Sequence, residues 1–330
     1  MEYCGVRAVG QIVLANKVVS SQDLGPTNSH MHLIAMPPSW LYKVSVSFEN
    51  DIDYALIDPE KAVHELSLYL ASGGKACLDA TTRDYGRNVK SIKSVLEKVP
   101  AVQLILVTGF NRGIYLHPDY FPEYFSSSID KVAEMFANEV EEGIEGTTLK
   151  AGAIKVGADY MKILPIEEKL IKAAAQAHKT TGAPILVHTT YGTMALEVLK
   201  ILEDEYVDPG SVVFFHADRN LDPWYWTELL EKGSYITIDQ LGKIKYAPEG
   251  ARVKFLADVV SRGYENKVLL GTDFARRSDF ISYGGGPGLS YLFKTFIPFA
   301  KRVFEKMGIE TSVIDKFVKD NPSTALSIKK

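Results

Sequence analysis

Short runs of apolar, β-branched residues alternate along the chain with longer stretches whose apolar positions recur at helical spacing. This alternation is typical of repeated βα units, in which parallel strands form a sheet and helices cover it. Eight runs are predicted to be strands: Thr27–Leu33, Lys75–Thr81, Val102–Thr108, Ala151–Gly157, Pro184–Thr189, Ser211–His216, Ser234–Asp239 and Lys267–Asp273. Eight such units predict a (β/α)8 TIM barrel of the α/β class.

The segments between the strands carry helix boundaries. Asp58 is placed to cap a helix that begins at Pro59, and the helical pattern ends at Gly73 and Gly74. Residues 1–20 predict a short β appendage before the barrel. Since no Ser/Gly-rich linker divides the chain, we expect residues 1–330 to form a single domain.

Composition narrows the class of protein. The 330 residues are 46% hydrophobic and 24% charged, as in globular enzymes, and a net charge of -4 gives no basic surface for a nucleic acid. Cys4 and Cys77 are too few for a disulfide framework, so we expect free thiols and a cytoplasmic protein. No segment reaches the ~20 apolar residues that span a membrane, and none is expected to insert. A homodimer is compatible with the sequence.

Four of the seven histidines fall at the ends of predicted strands. His30 and His32 are two residues apart on the first strand, so both side chains point to the same side. His188 and His216 end later strands, and Asp273 ends the eighth. A single histidine on a strand is more often a hydrogen-bonded core residue, but four on one rim with a carboxylate favour zinc or a similar divalent metal.

Lys155 lies on the apolar fourth strand, in AGAIKVG, where burial of an ammonium group is costly. A lysine whose pKa is lowered by burial can react with carbon dioxide and form a carbamate, an anion with two oxygens that can bridge two metals. The alternative is a lysine whose ammonium reaches solvent at an edge strand.

Eight segments between residues 24 and 292 carry a family resemblance: LGPTNSHMHL, DATTRDYGRN, GTTLKAGAIKVG, AAAQAHKTTGAPILVHT, VVFFHADRNLD, ITIDQLG, LLGTDF and YGGGPGLSYL. With them the chain resembles the phosphotriesterase family of the amidohydrolase superfamily, which includes the phosphotriesterase-like lactonases. One departure is Met31, where many relatives have Glu, but this is not a ligand position.

The resemblance implies a centre of two divalent metal ions, expected to be zinc, with manganese, cobalt or iron as alternatives. It implies that His30, His32 and Asp273 hold a buried metal and that His188 and His216 hold a more exposed one. A carboxylated Lys155 and a hydroxide would bridge the two.

General chemistry of such a centre gives a hydrolase in which the bridging hydroxide attacks an ester carbonyl or a phosphoryl group. Asp273 is expected to take the proton of the hydroxide and pass it toward the leaving alkoxide. Asp218, in HADRN, is expected to relay that proton outward or to orient a ligand. A salt bridge at the strand end is the alternative for Asp218.

The loops must select the substrate, because the family contains mainly lactonases that often have phosphotriesterase side activity. Cations on the loops after strands seven and eight indicate an anionic small molecule, and these strand ends often bind phosphate in barrels. The candidate substrate-binding residues are Lys243, Lys245, Arg276, Arg277 and Tyr283. Neighbouring side chains of extended chain point to opposite sides, so one of the two arginines is expected to serve the loop. The alternative is that these are ordinary solvated charges.

We therefore expect a lactonase for a phosphorylated sugar lactone. One alternative is a hydrolase for phosphotriesters or for uncharged lactones such as acyl-homoserine lactones. This alternative is supported by the aromatic third loop, GFNRGIYLHPDYFPEYF, which is predicted to be a lid or pocket wall. A non-catalytic metal-binding protein would usually lack a ligand, and a deaminase with one metal would lack Lys155.

Overall fold

The computed structural model of the protein describes residues 10–38 and 51–329. The strands among these residues are β1 (Gln11–Leu14), β2 (Lys17–Ser20), β3 (Thr27–Met31), β4 (Ala76–Asp79), β5 (Gln103–Gly109), β6 (Ala151–Ala158), β7 (Ile185–Thr189), β8 (Val212–Phe214), β9 (Tyr235–Ile238) and β10 (Val268–Leu270). Strands β3 to β10 pair in chain order, each parallel to the next. Each coincides with one of the eight predicted strands.

Backbone hydrogen bonds bring the last strand to the first. The N–H groups of Thr272 and Asp273 donate to the carbonyl of His30 at 3.0 and 2.8 Å, and the N–H of His32 donates to the carbonyl of Phe274 at 3.0 Å. The sheet is thus a nearly closed barrel, and the predicted TIM barrel is confirmed.

Helices cover the outer face of the sheet. The described α-helices are α1 (Asp51–Tyr54), α2 (Pro59–Ala71), α3 (Val89–Lys98), α4 (Pro122–Ser126), α5 (Ile129–Glu141), α6 (Pro165–Thr181), α7 (Ala195–Asp204), α8 (Pro223–Glu231), α9 (Glu249–Ser261), α10 (Ile297–Lys306), α11 (Val313–Lys316) and α12 (Asp320–Ala325). α2 begins as predicted, because the Asp58 carboxylate accepts the N–H groups of Glu60 and Lys61 at 3.0 and 3.4 Å.

The predicted β appendage is an antiparallel hairpin of β1 and β2 at the N-terminal end of the barrel. The N–H of Ala15 donates to the carbonyl of Leu104 at 2.7 Å, and the N–H of Lys150 donates to the carbonyl of Ala15 at 2.9 Å. Gln11 also pairs with Ile328, near the other end of the described chain. The hairpin packs its apolar side chains against the side chains that fill the barrel and covers this end of it.

Of the two cysteines, Cys77 is a buried free thiol on β4, whereas Cys4 lies outside the described residues. Among the described helices, none has the length and apolar character required to cross a membrane.

Candidate metal and active site

The C-terminal ends of the strands bring the four predicted histidines into one row. β3 carries His30, His32 directly follows it, His188 is on β7, and His216 comes two residues after β8. The ring centroids of His32 and His30 are 5.5 Å apart, those of His30 and His216 are 5.1 Å apart, and those of His216 and His188 are 4.6 Å apart. Neighbouring rings are therefore close enough to act as ligands of a common metal ion.

Asp273 meets the row at its buried end. Its Oδ1 atom lies 3.4 Å from Nε2 of His30 and 3.4 Å from Nε2 of His32. Nε2 of His30 is buried and has no hydrogen-bond partner in the part of the chain that the structure describes. Two imidazole nitrogens and a carboxylate oxygen that converge in this way fit a divalent metal such as zinc.

Burial lowers the pKa of His30 below its ordinary value and lowers that of His32 to about 3. Both imidazoles are therefore neutral at physiological pH. A neutral imidazole keeps one ring nitrogen that can act as a metal ligand, so the electrostatics agree with the geometry.

A carboxylate that the sequence analysis did not assign fixes two of these rings. Asp239 accepts from Nδ1 of His30 and from Nδ1 of His216, both at 2.8 Å. Burial opposes the charge of Asp239, but the two histidines hold its pKa well below the usual range. Both Nε2 atoms are left as candidate metal ligands, and Nε2 of His216 lies 2.9 Å from Nδ1 of His188. The available signal was an acidic residue at a strand exit, in ITIDQLG.

His32 is oriented by a separate pair of side chains. Its Nδ1 lies 2.8 Å from Oγ1 of Thr81, and Thr81 in turn donates to Oδ1 of Asp79 at 2.5 Å. The ring therefore also presents Nε2 toward Asp273.

Lys155 lies on β6 and points into the same pocket, with a relative exposure of 1%. Its ammonium donates to the carbonyl of Ala80 at 2.8 Å, and burial lowers its pKa to about 8. Gly109 on β5 allows this part of the sheet to form, because a Cβ there would lie 1.9 Å from the Lys155 carbonyl oxygen. The lysine is thus buried rather than extended to solvent.

Two of the candidate ligands adopt a left-handed backbone. The φ angle is 65° at His216 and 45° at Asp273, a region that residues other than glycine rarely occupy. Strands β8 and β10 therefore end before these residues, earlier than the hydrophobic pattern predicted. Strained backbone of this kind is concentrated at functional sites.

Two adjoining pockets open at this end of the barrel. The first encloses about 130 Å³ and is lined by the six candidate ligands together with Tyr54, Tyr85, Asn111, Tyr115, Lys243, Tyr246, Ala275 and Arg276. The second encloses about 140 Å³, shares His188, His216, Tyr246 and Asp273 with the first, and adds Arg112, Thr189, Thr190, Tyr191, Arg219 and Gln240. The third loop thus forms part of the wall of both pockets, as predicted.

Two of the predicted substrate-binding residues line the first pocket. Lys243 donates to the backbone carbonyl of Asp273 and, at 3.0 Å, to its Oδ2 atom. Burial acts to lower the pKa of Lys243, but the Asp273 carboxylate raises it above its ordinary value. The Arg276 guanidinium lies 4.4 Å from the ring centroid of Tyr54 and forms no ion pair with a described carboxylate.

Three other predicted substrate-binding residues line neither pocket, and their contact with a substrate stays a prediction. Lys245 is exposed, because the loop turns after Lys243. Arg277 donates through Nε to the carbonyl of Ala55 at 2.8 Å, and is the arginine that serves the loop. The Tyr283 hydroxyl accepts the N–H of Asp58 at 3.2 Å, and the Tyr283 side chain lines a separate small cavity together with Leu33.

Asp218 is buried beside the site but lines neither pocket. Its carboxylate accepts from Nε of Arg252 at 2.6 Å, and burial is the main reason why its pKa is raised to about 6. No hydrogen bond joins Asp218 to Asp273 within residues 10–38 and 51–329. The proton relay stays a prediction.

Comparison with known proteins assigns this site to a family. The solved structure of a lactonase from Listeria monocytogenes superposes with a TM-score of 0.91 at 35% identity, over 97% of this chain and 100% of that one. The model of the phosphotriesterase family matches residues 11–326. The chain belongs to the phosphotriesterase family. The predicted resemblance is thereby confirmed.

Two phosphotriesterase-family relatives show the range of named activities. An aryldialkylphosphatase of Saccharolobus solfataricus is 31% identical, over 94% of this chain and 97% of its own length. A phospho-furanose lactonase of Mycoplasmopsis agalactiae is 30% identical, over 94% of this chain and 89% of its own length. The protein is accordingly a metal-dependent hydrolase that acts on ester bonds, as members of the phosphotriesterase family are.

Proposed function

We propose that the protein is a binuclear lactonase that opens a sugar lactone carrying a phosphate group. The observation that carries this proposal is the position of Lys243 and Arg276 on the wall of the pocket that contains the candidate ligands. A small pocket with cations beside the reaction centre suits a compact anionic substrate better than a long acyl chain.

In this proposal His30, His32 and Asp273 hold one metal, and His188 and His216 hold the other. When bound, the two metals, which we take to be zinc, would activate the attacking water and polarise the carbonyl of the lactone. The convergence of free imidazole nitrogens on Asp273 and between His188 and His216 supports this division.

Lys155 would bridge the metals as a carbamate. Its burial among the candidate ligands lowers its pKa and so increases the fraction of neutral amine, which is the form that reacts with carbon dioxide. An unmodified ammonium at this place would instead repel the metals. The side chain therefore has a chemical reason to be modified.

Asp273 would act as the base. It accepts the proton of the attacking water and gives it to the ring oxygen that leaves as an alkoxide. Its two carboxylate oxygens have different neighbours. Oδ1 faces His30 and His32, whereas Oδ2 accepts from Gln240 at 2.8 Å and from Lys243 at 3.0 Å. These contacts fix the carboxylate relative to the pocket.

The phosphate would lie between the cations of the pocket wall. Arg276 has no described carboxylate partner, and Tyr246 lines both pockets. The Arg219 guanidinium lies 3.6 Å from the centroid of the Tyr246 ring. Arg219 thus adds positive charge next to the proposed phosphate site. The name of the Mycoplasmopsis agalactiae relative, a phospho-furanose lactonase, supports the same substrate class.

A phosphotriester or an uncharged lactone is the second candidate substrate. The observation in its favour is the aromatic part of the first pocket, which includes Tyr54, Tyr85 and Tyr115. The aryldialkylphosphatase among the relatives has the corresponding name. The non-catalytic and single-metal alternatives are less favoured, because all six candidate ligands, including Lys155, face one pocket.

The test compares two neighbouring arginines. Arg276→Ala is expected to lower kcat/KM for a phosphorylated lactone by about ten- to a hundredfold, the value of a charge-assisted hydrogen bond, and to spare its dephosphorylated analogue. Arg277→Ala is the matched control, because this side chain lies outside both pockets. Lys243→Ala is expected to impair the hydrolysis of both lactones, because Lys243 also donates to Asp273, and Lys245→Ala is its matched control. A wild type that turns over neutral lactones or phosphotriesters better than phosphorylated lactones would refute the proposal.

A further inference from the structure

A buried ion pair lies directly behind the loop that carries two pocket residues. Arg252 on α9 is 0% exposed, and its Nε donates to Oδ2 of Asp218 at 2.6 Å. Its other nitrogens donate to backbone carbonyls, Nη1 to Ala247 at 2.7 Å and Nη2 to Lys243 at 3.1 Å. The guanidinium therefore joins a carboxylate to two points of the β9–α9 loop, residues 239–248.

The carboxylate holds the start of the same loop. Oδ1 of Asp218 accepts the backbone N–H of Asp239 at 3.2 Å, and Oδ2 accepts that of Gln240 at 3.0 Å. Four backbone groups of the β9–α9 loop, at residues 239, 240, 243 and 247, are thus bound to one ion pair. Between these points the loop carries Lys243 and Tyr246 to the pocket.

The same contacts do not form a path for a proton. Gln240 stands between the two acids: its side-chain amide donates to Asp273, and its backbone N–H donates to Asp218. A carboxamide donates and accepts hydrogen bonds but does not titrate. The hydrogen bonds of Asp218 therefore hold the backbone of the β9–α9 loop in place.

We propose that Asp218 and Arg252 are positioning residues that fix the β9–α9 loop and thereby set the affinity of the enzyme for the anionic group of its substrate. The assignment of that group rests on the proposed function, whereas the anchoring of the loop does not. A displaced loop moves Lys243 and Tyr246 relative to the pocket. Because Lys243 also donates to Asp273, kcat is expected to fall somewhat, but less than KM for the phosphorylated lactone rises.

The experiment uses Asp218→Asn and Arg252→Gln in the metal-loaded enzyme. Each is expected to raise KM for the phosphorylated lactone by about tenfold, since small displacements of a binding group have large effects, and to change kcat and the hydrolysis of the neutral lactone far less. The double variant is expected to be less impaired than the product of the two single effects, because the two residues form one ion pair.

Arg87→Gln is the matched control. Arg87 is also a buried arginine, paired with Glu139 at 2.9 Å and Glu145 at 3.0 Å, but it contacts no part of the β9–α9 loop. Its loss is expected to reduce stability without changing the ratio of KM values for the two lactones.

Hydrogen exchange supplies a readout that does not need a substrate. Peptides covering residues 241–247 are expected to exchange faster in both anchor variants and at the wild-type rate in Arg87→Gln. Unchanged exchange, or a drop in kcat on both lactones with a shifted pH profile, would overturn the proposal in favour of a proton relay. If the two anchor variants exchange faster but the wild type shows no preference for the phosphorylated lactone, the proposed substrate is rejected. The role of Asp218 and Arg252 in fixing the loop is then still supported.

Discussion

Replacing Asp239 by asparagine tests whether one carboxylate holds a ligand of each of the two proposed metals in place. In the wild type, its two oxygens accept from Nδ1 of His30 and Nδ1 of His216, both at 2.8 Å. Asparagine has only one acceptor oxygen, so one of the imidazoles must face an NH₂ group. That ring is then expected to carry its proton on Nε2, the nitrogen that we assign to a metal.

The backbone decides which imidazole is affected. Oδ2 of Asp239 accepts the N–H of His216 at 3.1 Å as well as the ring of His30. The asparagine oxygen is therefore expected to take this position and the NH₂ group to face the ring of His216. Loss of such a partner typically weakens metal affinity about 10–100-fold, or about 1.4–2.7 kcal/mol. One metal should bind nearly as in the wild type, and the other should bind more weakly by this factor.

Calorimetric titration of the metal-free variant with zinc measures both affinities, and elemental analysis after dialysis measures the metal content per chain. Asp84→Asn is the control, because the oxygens of this buried carboxylate accept the backbone N–H of Asn111 rather than an imidazole. If folded Asp239→Asn binds two metals with wild-type affinities, or if Asp84→Asn loses metal equally, the reasoning about Asp239 is wrong.

Three further predictions concern the centre itself. Purified enzyme is expected to hold two metals per chain and a carbamate on Lys155, which elemental analysis and carbon NMR with labelled bicarbonate would detect; one metal, or no labelled carbamate, would contradict this. Asp273→Asn is expected to keep its metals and lose about 10²–10⁴-fold in kcat, and near-normal turnover at full metal content would place the base elsewhere. Because the pKa of Lys155 is lowered to about 8, its neutral fraction in the metal-free protein is about one half at pH 8 and about one hundredth at pH 6. Reactivation by zinc and bicarbonate should therefore be faster at pH 8 than at pH 6, and equal rates would show that the free amine is not required.

The barrel and the candidate ligands were predictable because each depends on local pattern. An apolar run followed by a polar exit marks a parallel strand and its C-terminal end, so His30, His188 and Asp273 could be placed on one rim without knowing their distances. The end of β8 was less predictable. The left-handed backbone at His216 interrupts pairing before the hydrophobic run has finished.

The role of Asp239 and the choice among the loop cations required tertiary structure. Asp239 and His30 are 209 residues apart in the sequence. They form a hydrogen bond only because closure of the barrel brings β3 beside β10 and near β9. The path of one turn decides the positions of two nearby lysines. Lys243 donates to Asp273, whereas Lys245 is exposed to solvent. Residue type alone carries no information on that path.

The pairing of Gln11 with Ile328 has a practical consequence for engineering the enzyme. Both ends of the described chain meet at the N-terminal end of the barrel, where the β1–β2 hairpin packs. The N–H of Ile328 donates to the carbonyl of Gln11 at 2.8 Å. A tether attached at either end would hold the enzyme on a support with its pockets facing the solution. A circular permutant that joins residue 329 to residue 10 through a short linker would need little new chain, and could place its new termini in a helix-connecting loop away from the pockets.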